Sequence, residues 1–193
     1  MYDLKVISLN VKGLRQYIKR QAIFQFLKSK TARFFILQET HITAKDNLDW
    51  EKDWGEGRLI ANPGTSASAG QILLTKSNID IIFEKIHEPG RLHEIIIKDQ
   101  DIKIQFINIY GYNHENLRIP LLRKLQNIFK TEKYCNFTCL GGDFNITLSN
   151  LLDKEGGTVR KTQSQIALNN MILQIFIQIH QVEENARKEN FNL

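Results

Sequence analysis

The chain has 193 residues, 42% of them hydrophobic and 24% charged, which is ordinary for one globular domain with a sizeable core. No apolar run approaches the roughly 18 residues that span a bilayer, and no secretory signal opens the sequence. We therefore expect an intracellular protein, cytosolic or nuclear, with no membrane partner. The formal net charge of +5 favours acidic partners such as nucleic acid, but only weakly, because the basic residues are scattered.

Short apolar runs rich in Ile, Phe and Val alternate with helical patterns along the chain. Such runs are typical of buried strands. They predict strands at Leu4–Leu9, Phe34–Leu37, Gln71–Thr75, Ile79–Phe83, Ile95–Lys98, Ile102–Ile109 and Phe137–Leu140. Apolar residues at helical spacing predict helices at Gln16–Ser29, Pro120–Lys130 and Thr162–Ile179.

Two details of these helices are also predicted. In the first helix, one face is expected to carry Ile18, Ala22, Phe26 and Leu27. In the second, Pro120 is expected in the first turn, where a missing N–H is tolerated. The mixture of strands and helices indicates an α/β or α+β sandwich in one domain. Two cysteines, Cys135 and Cys139, are too few for a zinc site without other ligands at suitable spacing.

Polar side chains stand at the ends of four predicted strands, where catalytic groups concentrate in α/β folds. They are Asn10, Glu39, Tyr110 and the pair Asp143 and Asn145. A glutamate oxygen suits magnesium, and the paired residues would point the same way if the chain is extended there. Each residue also has an ordinary explanation, as a turn former, an ion-pair member or a core residue.

Together and in this order, four segments resemble the signature series of the endonuclease/exonuclease/phosphatase superfamily. They read SLNVKGL (8–14), LQETHI (37–42), NIYGYN (108–113) and GGDFN (141–145). Gly90-Arg91 and Ser68-Ala69-Gly70 match as well, and the resemblance runs from residue 4 to about residue 180. It is greatest to the endonuclease domains of non-LTR retrotransposons. It implies a four-layer α/β sandwich, in which two stacked mixed β-sheets are flanked by helices.

The resemblance also implies a function, a magnesium-dependent phosphodiester hydrolase that nicks DNA. Carried over residue by residue, Glu39 would bind Mg²⁺, or Mn²⁺ in its place, and Asn10 would help to hold the metal or the phosphate. Asp143 would orient and activate the attacking water. Asn145 would support the phosphate, and Tyr110 would hydrogen-bond it. Fixed donors and a cation stabilise the charge that cleavage places on the phosphoryl oxygens.

Three departures from the family pattern bear on activity. The sequence has neither the Asp-His segment that closes the family's domain nor the upstream segment with a further catalytic Asp. An Asp-x-Trp-Arg-like segment also has no match, since the corresponding stretch is Gln178–Gln181. We therefore expect residues 1–193 to form one superfamily domain that is incomplete at its C-terminus, with C-terminal strands missing and weak or absent activity.

Two other functions stay open. One is an abasic-site endonuclease similar to exonuclease III, with the same chemistry on a different DNA substrate. The other is a remnant that binds nucleic acid without catalysis, which the missing histidine favours. A reverse transcriptase encoded downstream in the same frame would favour the retrotransposon endonuclease.

Overall fold

The structure is a computed structural model that describes residues 3–131, 133–146 and 162–173. The chain divides into two compact units. The first comprises Met1–Gly111 and Lys133–Phe144, and the second comprises Tyr112–Glu132 and Asn145–Leu193. Within the described residues, none of the helices combines the length and the apolar character that crossing a membrane requires.

The first unit contains eight strands and two helices among its described residues. In chain order they are β1 (Val6–Asn10), α1 (Tyr17–Lys28), β2 (Phe34–Gln38), α2 (Asn47–Trp54), β3 (Leu59–Asn62), β4 (Gln71–Thr75), β5 (Asp80–Glu88), β6 (Leu92–Asp99), β7 (Ile102–Tyr110) and β8 (Phe137–Asp143). A 3-10 turn at Ala44–Asp46 precedes α2.

The strands form two mixed sheets of four. In the first sheet the order is β1-β2-β4-β3, with β1 and β2 parallel and the other pairs antiparallel. In the second the order is β5-β6-β7-β8, with β7 and β8 parallel. This arrangement confirms the predicted α/β sandwich of two stacked mixed sheets.

Apolar side chains fill the space between the two sheets. Phe34 and Ile36 of β2 pack there with Ile104 and Phe106 of β7, and the rings of Phe34 and Phe106 have centroids 5.0 Å apart. The opposite face of the first sheet packs on the helices α1 and α2. Both faces of β2 are therefore buried, which explains why its sequence FFIL is continuously apolar.

The face that α1 buries differs from the predicted one. Its buried residues are Arg20, Phe24 and Leu27, while Ile18 and Phe26 are 75% and 48% exposed. Arg20 is satisfied because its Nη2 lies 2.7 Å from Asp53 and its Nη1 donates to the Leu14 carbonyl at 3.0 Å. Arg20 can therefore be buried because its charge is paired, although the pattern of apolar residues predicts this position at the surface.

The second unit contains α3 (Glu115–Lys130) and a helical stretch at residues 163–173. Because α3 begins at Glu115, Pro120 lies in the body of the helix, so its prediction in the first turn was wrong. A proline there leaves the carbonyl of Asn116 without its helical donor. The expected helix at Thr162–Ile179 is described only up to residue 173. The remainder of that segment and Gln178–Gln181 lie outside the described residues.

Candidate functional site

The carboxyl ends of four strands meet at one edge of the two sheets in the first unit. In the first sheet, Asn10 at the end of β1 stands opposite Gln38 at the end of β2. In the second sheet, Tyr110 at the end of β7 stands opposite Asp143 at the end of β8. Since both pairs are parallel, their carboxyl ends lie side by side, and Glu39 follows directly after β2.

One hydrogen bond joins the two sheets at this edge. Asn10 Nδ2 donates to Asp143 Oδ2 at 2.8 Å, between residues that are 133 positions apart. The amide oxygen of Asn10 accepts from the backbone N–H of Lys12 at 3.1 Å. This second bond fixes which end of the amide faces Asp143, so that an N–H is directed at the carboxylate.

A second polar pair lies beside it. The phenol of Tyr110 hydrogen-bonds Glu39, and Tyr110 is only 8% exposed. Burial raises the pKa of Tyr110, and the charge of Glu39 and the hydrogen bond between them raise it further, whereas the charge of Arg91 opposes this shift. The phenol therefore stays protonated at neutral pH and is a hydrogen-bond donor.

Arg91 supports Tyr110 from the neighbouring strand end. Its guanidinium carbon lies 4.8 Å from the centroid of the Tyr110 ring, within the range of a cation–π contact. Its Nη1 also donates to the carbonyl of Gly111 at 3.0 Å. These contacts hold the ring and the turn that follows β7, so they limit the positions that the phenol oxygen can take.

Buried amides lie immediately below this edge. Gln38 Nε2 donates to Asn108 Oδ1 at 3.0 Å and to Ser8 Oγ at 3.1 Å. Asn108 Nδ2 donates in turn to the carbonyl of Leu37 at 3.0 Å. Gln38 and Asn108 are 1% and 3% exposed. Buried side chains that are hydrogen-bonded in this way specify one alignment of the two sheets.

The paired glycines before Asp143 are needed because neighbouring strands pass very close to β8 at these two positions. A Cβ added to Gly142 would lie 1.9 Å from the carbonyl oxygen of Ile109, and the φ of Gly142 is +147°. A Cβ at Gly141 would lie 3.0 Å from Ile36 in the other sheet. Only glycine at position 142 lets β8 lie this close to β7, and β8 carries Asp143 to the edge.

Three residues around the site have left-handed backbone without being glycine. The φ values are 48° for Lys12, 55° for Glu39 and 60° for His41. Hydrogen bonds hold this backbone, since Gly13 N–H donates to the Glu39 carbonyl at 2.6 Å and His41 N–H to the Ala69 carbonyl at 2.8 Å. Strained conformations that surrounding bonds enforce are common at functional sites.

The donors at this edge fit a hard divalent cation. The Glu39 side chain is 27% exposed, so water and ligands reach it. The amide oxygen of Asn10 and the carboxylate of Asp143 supply further oxygen atoms, which Mg²⁺ and Mn²⁺ accept. Among the described residues, no three His, Cys, Asp or Glu side chains are grouped so that they would enclose a metal. A cation here would keep several water or phosphate ligands, as is usual for Mg²⁺.

The structure thus brings together four of the five predicted site residues. Asn10, Glu39, Tyr110 and Asp143 are linked by the contacts above, and their catalytic roles stay predictions. Asn145 belongs to the second unit, where its carbonyl accepts a hydrogen bond from Arg118. Its φ is 51° and β8 ends at Asp143, so the extended chain on which the prediction for this pair depended is absent.

Four further residues of the site had no predicted role. They are Gln38, His41, Arg91 and Asn108. All four lie in the segments that carry the family resemblance. Gln38 is the last residue of β2 and Asn108 lies two residues before the end of β7, and both are on the inner faces of apolar strands. A polar residue at such a position is a signal that sequence reasoning can use, because it must find a buried partner.

Known proteins share this sequence and fold to different extents. No family model matches the chain. An uncharacterized 149 kDa protein of transposon TX1 from Xenopus laevis is 26% identical over 147 residues. The match covers 75% of this chain but only 11% of that protein, so the chain corresponds to a small part of its relative.

Two solved structures show the fold. An AP endonuclease from Archaeoglobus fulgidus has a TM-score of 0.68 and 18% identity, and the endonuclease domain of TRAS1, a telomere-specific non-LTR retrotransposon, has a TM-score of 0.58 and 13% identity. Each alignment covers 89% of this chain and 71% of the other. The chain therefore has the same fold as these two endonucleases. The edge where Asn10 bonds Asp143 across the sheets is its candidate active site.

Proposed function

We propose that this chain is the endonuclease domain of a non-LTR retrotransposon, a metal-dependent phosphodiester hydrolase that nicks DNA in the nucleus. The observation that carries the proposal is the bond from Asn10 to Asp143 across the two sheets, beside the Glu39–Tyr110 pair. The sequence similarity to a transposon protein supports the retrotransposon branch. The reverse transcriptase of such an element would then be encoded by the same gene.

Asp143 is proposed to orient and activate the attacking water. One of its oxygens accepts from Asn10, so the carboxylate is held in one rotamer. A carboxylate has about four acceptor sites, so Asp143 can also accept a proton of a water placed against the phosphorus. Asn10 is thus a positioning residue for Asp143, and it is fixed in turn by the Lys12 backbone.

Glu39 is proposed to hold a Mg²⁺ or Mn²⁺ ion, with the Asn10 amide oxygen beside it. When bound, the ion would stabilise negative charge on the phosphoryl oxygens. Tyr110 keeps its proton at neutral pH and bonds Glu39 in this structure. If Glu39 binds the cation, the single O–H of Tyr110 can turn from Glu39 to a phosphate oxygen beside it. Asn145 is proposed to support the phosphate, as the family resemblance implies.

The second candidate is an abasic-site repair endonuclease. It is favoured by the similarity in fold to the archaeal AP endonuclease. The two functions share the hydrolytic groups described above and differ in the DNA that they require. A retrotransposon endonuclease nicks intact duplex, whereas a repair enzyme needs a duplex with an abasic site.

A plasmid-nicking assay tests the proposal. We expect slow, Mg²⁺-dependent nicking of supercoiled plasmid that lacks abasic sites, and loss of that nicking by about 10²–10⁴-fold in Asp143→Ala. The rate is expected to be low because the sequence has no Asp-His pair. Asp101→Ala is the matched control, since the Asp101 side chain is fully exposed, and it should nick like the parent chain.

Other outcomes discriminate the candidates. Cleavage restricted to an oligonucleotide duplex with an abasic site would favour the repair enzyme. Binding of duplex DNA without nicking at any protein concentration would favour a non-catalytic remnant. Nicking that survives Asp143→Ala would contradict the assignment of this residue.

A further inference from the structure

His41 has an imidazole nitrogen without a hydrogen-bond partner among the described residues, close to the proposed metal ligand Glu39. Its Nε2 is buried and has no hydrogen-bond partner in the part of the chain that the structure describes. The carboxylate oxygen Oε1 of Glu39 lies 3.9 Å from Nε2. A buried polar atom without a partner is destabilising, so this arrangement calls for a ligand.

The position of the imidazole is fixed by the backbone around it. His41 has a φ of 60°, and its N–H is bonded to Ala69. On its other side the ring lies against Gly13, where an added Cβ would be 3.0 Å from Nδ1. Glycine at position 13 therefore leaves just enough space for the ring, which stays beside Glu39.

We infer that His41 Nε2 is a second protein ligand of the cation that Glu39 binds, and that it makes the site prefer Mn²⁺ to Mg²⁺. This inference rests on the proposed function. In an octahedral site with bonds of about 2.1 Å, adjacent ligand atoms are about 3.0 Å apart and opposite ones about 4.2 Å. The observed 3.9 Å between Glu39 Oε1 and His41 Nε2 lies between these values, so a small rotation of either side chain brings both atoms to one cation.

The preference follows from the chemistry of the two donors. Mg²⁺ takes oxygen ligands in near-ideal octahedral geometry and loses its water reluctantly. Mn²⁺ accepts the same carboxylate and, as a first-row transition metal, also accepts an imidazole nitrogen, which Mg²⁺ with its oxygen ligands does not readily take. A neutral imidazole with its proton on Nδ1 leaves Nε2 free to donate its electron pair to the metal.

Electron spin-echo spectroscopy of bound Mn²⁺ tests the inference on the unaltered chain. We expect the echo of one equivalent of Mn²⁺ to be modulated by a directly coordinated ¹⁴N nucleus of an imidazole. The modulation should disappear in His41→Gln and persist in His114→Gln, a control in the second unit. Mn²⁺ bound to the parent chain without nitrogen modulation would overturn the inference, whether or not either variant folds.

Calorimetric titrations with Mn²⁺ and with Mg²⁺ measure the preference. In His41→Gln we expect Mn²⁺ affinity to fall by about tenfold or more, and Mg²⁺ affinity by less than about threefold. An equal fall for both ions would also overturn the inference. If the chain nicks DNA but its bound Mn²⁺ shows no nitrogen modulation, the inference fails and the proposed function stands. If bound Mn²⁺ shows nitrogen modulation but the chain never nicks DNA, only the proposed function is contradicted.

Discussion

Replacing Asn108 with alanine is expected to weaken the junction between the two sheets. Asn108 is 3% exposed and makes two buried hydrogen bonds to the opposite sheet. It accepts from Gln38 Nε2 at 3.0 Å and donates to the Leu37 carbonyl at 3.0 Å. Alanine removes both bonds and leaves a small gap where the carboxamide was.

The magnitude follows from the partners that remain. A buried hydrogen bond contributes about 0.5–1.5 kcal/mol net, so two contribute about 2 kcal/mol. Gln38 keeps the Ser8 hydroxyl and the Ile36 carbonyl as acceptors for its two amide protons, so no donor is left unsatisfied. The loss of the van der Waals contacts of the carboxamide lowers the free energy of unfolding further, by at most about 1 kcal/mol. The free energy of unfolding should therefore fall by about 2–3 kcal/mol.

Urea unfolding monitored by tryptophan fluorescence measures this loss, since Trp50 and Trp54 are both buried. With an m-value of about 2 kcal/mol/M, the midpoint should fall by about 1–1.5 M without a change in m. Asn113→Ala, at an exposed position, is the control and should change stability by less than about 0.5 kcal/mol. If Asn108→Ala is as stable as that control, the amides do not hold the sheets together.

Two further changes have defined outcomes. Burial raises the pKa of Glu94, but hydrogen bonds from Lys133 and His87 outweigh it and hold that pKa below its ordinary value of 4.5. This stabilisation is present above about pH 4.5 and is lost as the pH falls through the folded pKa, so the melting temperature of Glu94→Gln, scanned down to about pH 3, should fall less steeply than that of the parent. Gly142→Ala places a Cβ 1.9 Å from the Ile109 carbonyl and should cost at least about 2 kcal/mol in the same urea assay; near-parent stability would refute the close approach.

Two of the strands that the sequence predicted are recognisable from their apolar composition alone. β2 and β4, with FFILQ and QILLT, are buried at every position and read as continuous apolar runs. β3 was missed because its four residues, Leu59–Asn62, are too few to show a period and depend on pairing with β4. α2 was missed as well, because Trp50 and Trp54 are its only buried residues.

The sequence predicted which residues belong to the candidate site better than it predicted the contacts between them. Strand ends and family resemblance single out Asn10, Glu39, Tyr110 and Asp143 without any knowledge of distance. The bond between Asn10 and Asp143 depends on how two sheets stack, which no local pattern encodes. The left-handed backbone at Glu39 and His41 was also unpredictable, because nothing in LQETHI marks these residues as the ones that surrounding hydrogen bonds would force to positive φ.

The period of two along the strands connects the core to the site. Side chains on one face of a strand recur at every second residue. On the inner face of β2 they are Phe34, Ile36 and Gln38, and on that of β7 they are Ile104, Phe106, Asn108 and Tyr110. Each series passes from apolar residues to an amide, and β7 continues to the phenol that bonds Glu39. A slip of one residue in either strand would turn the apolar residues out of the core and the polar ones away from the edge. The same hydrophobic packing that aligns the sheets therefore fixes the position of the candidate active site.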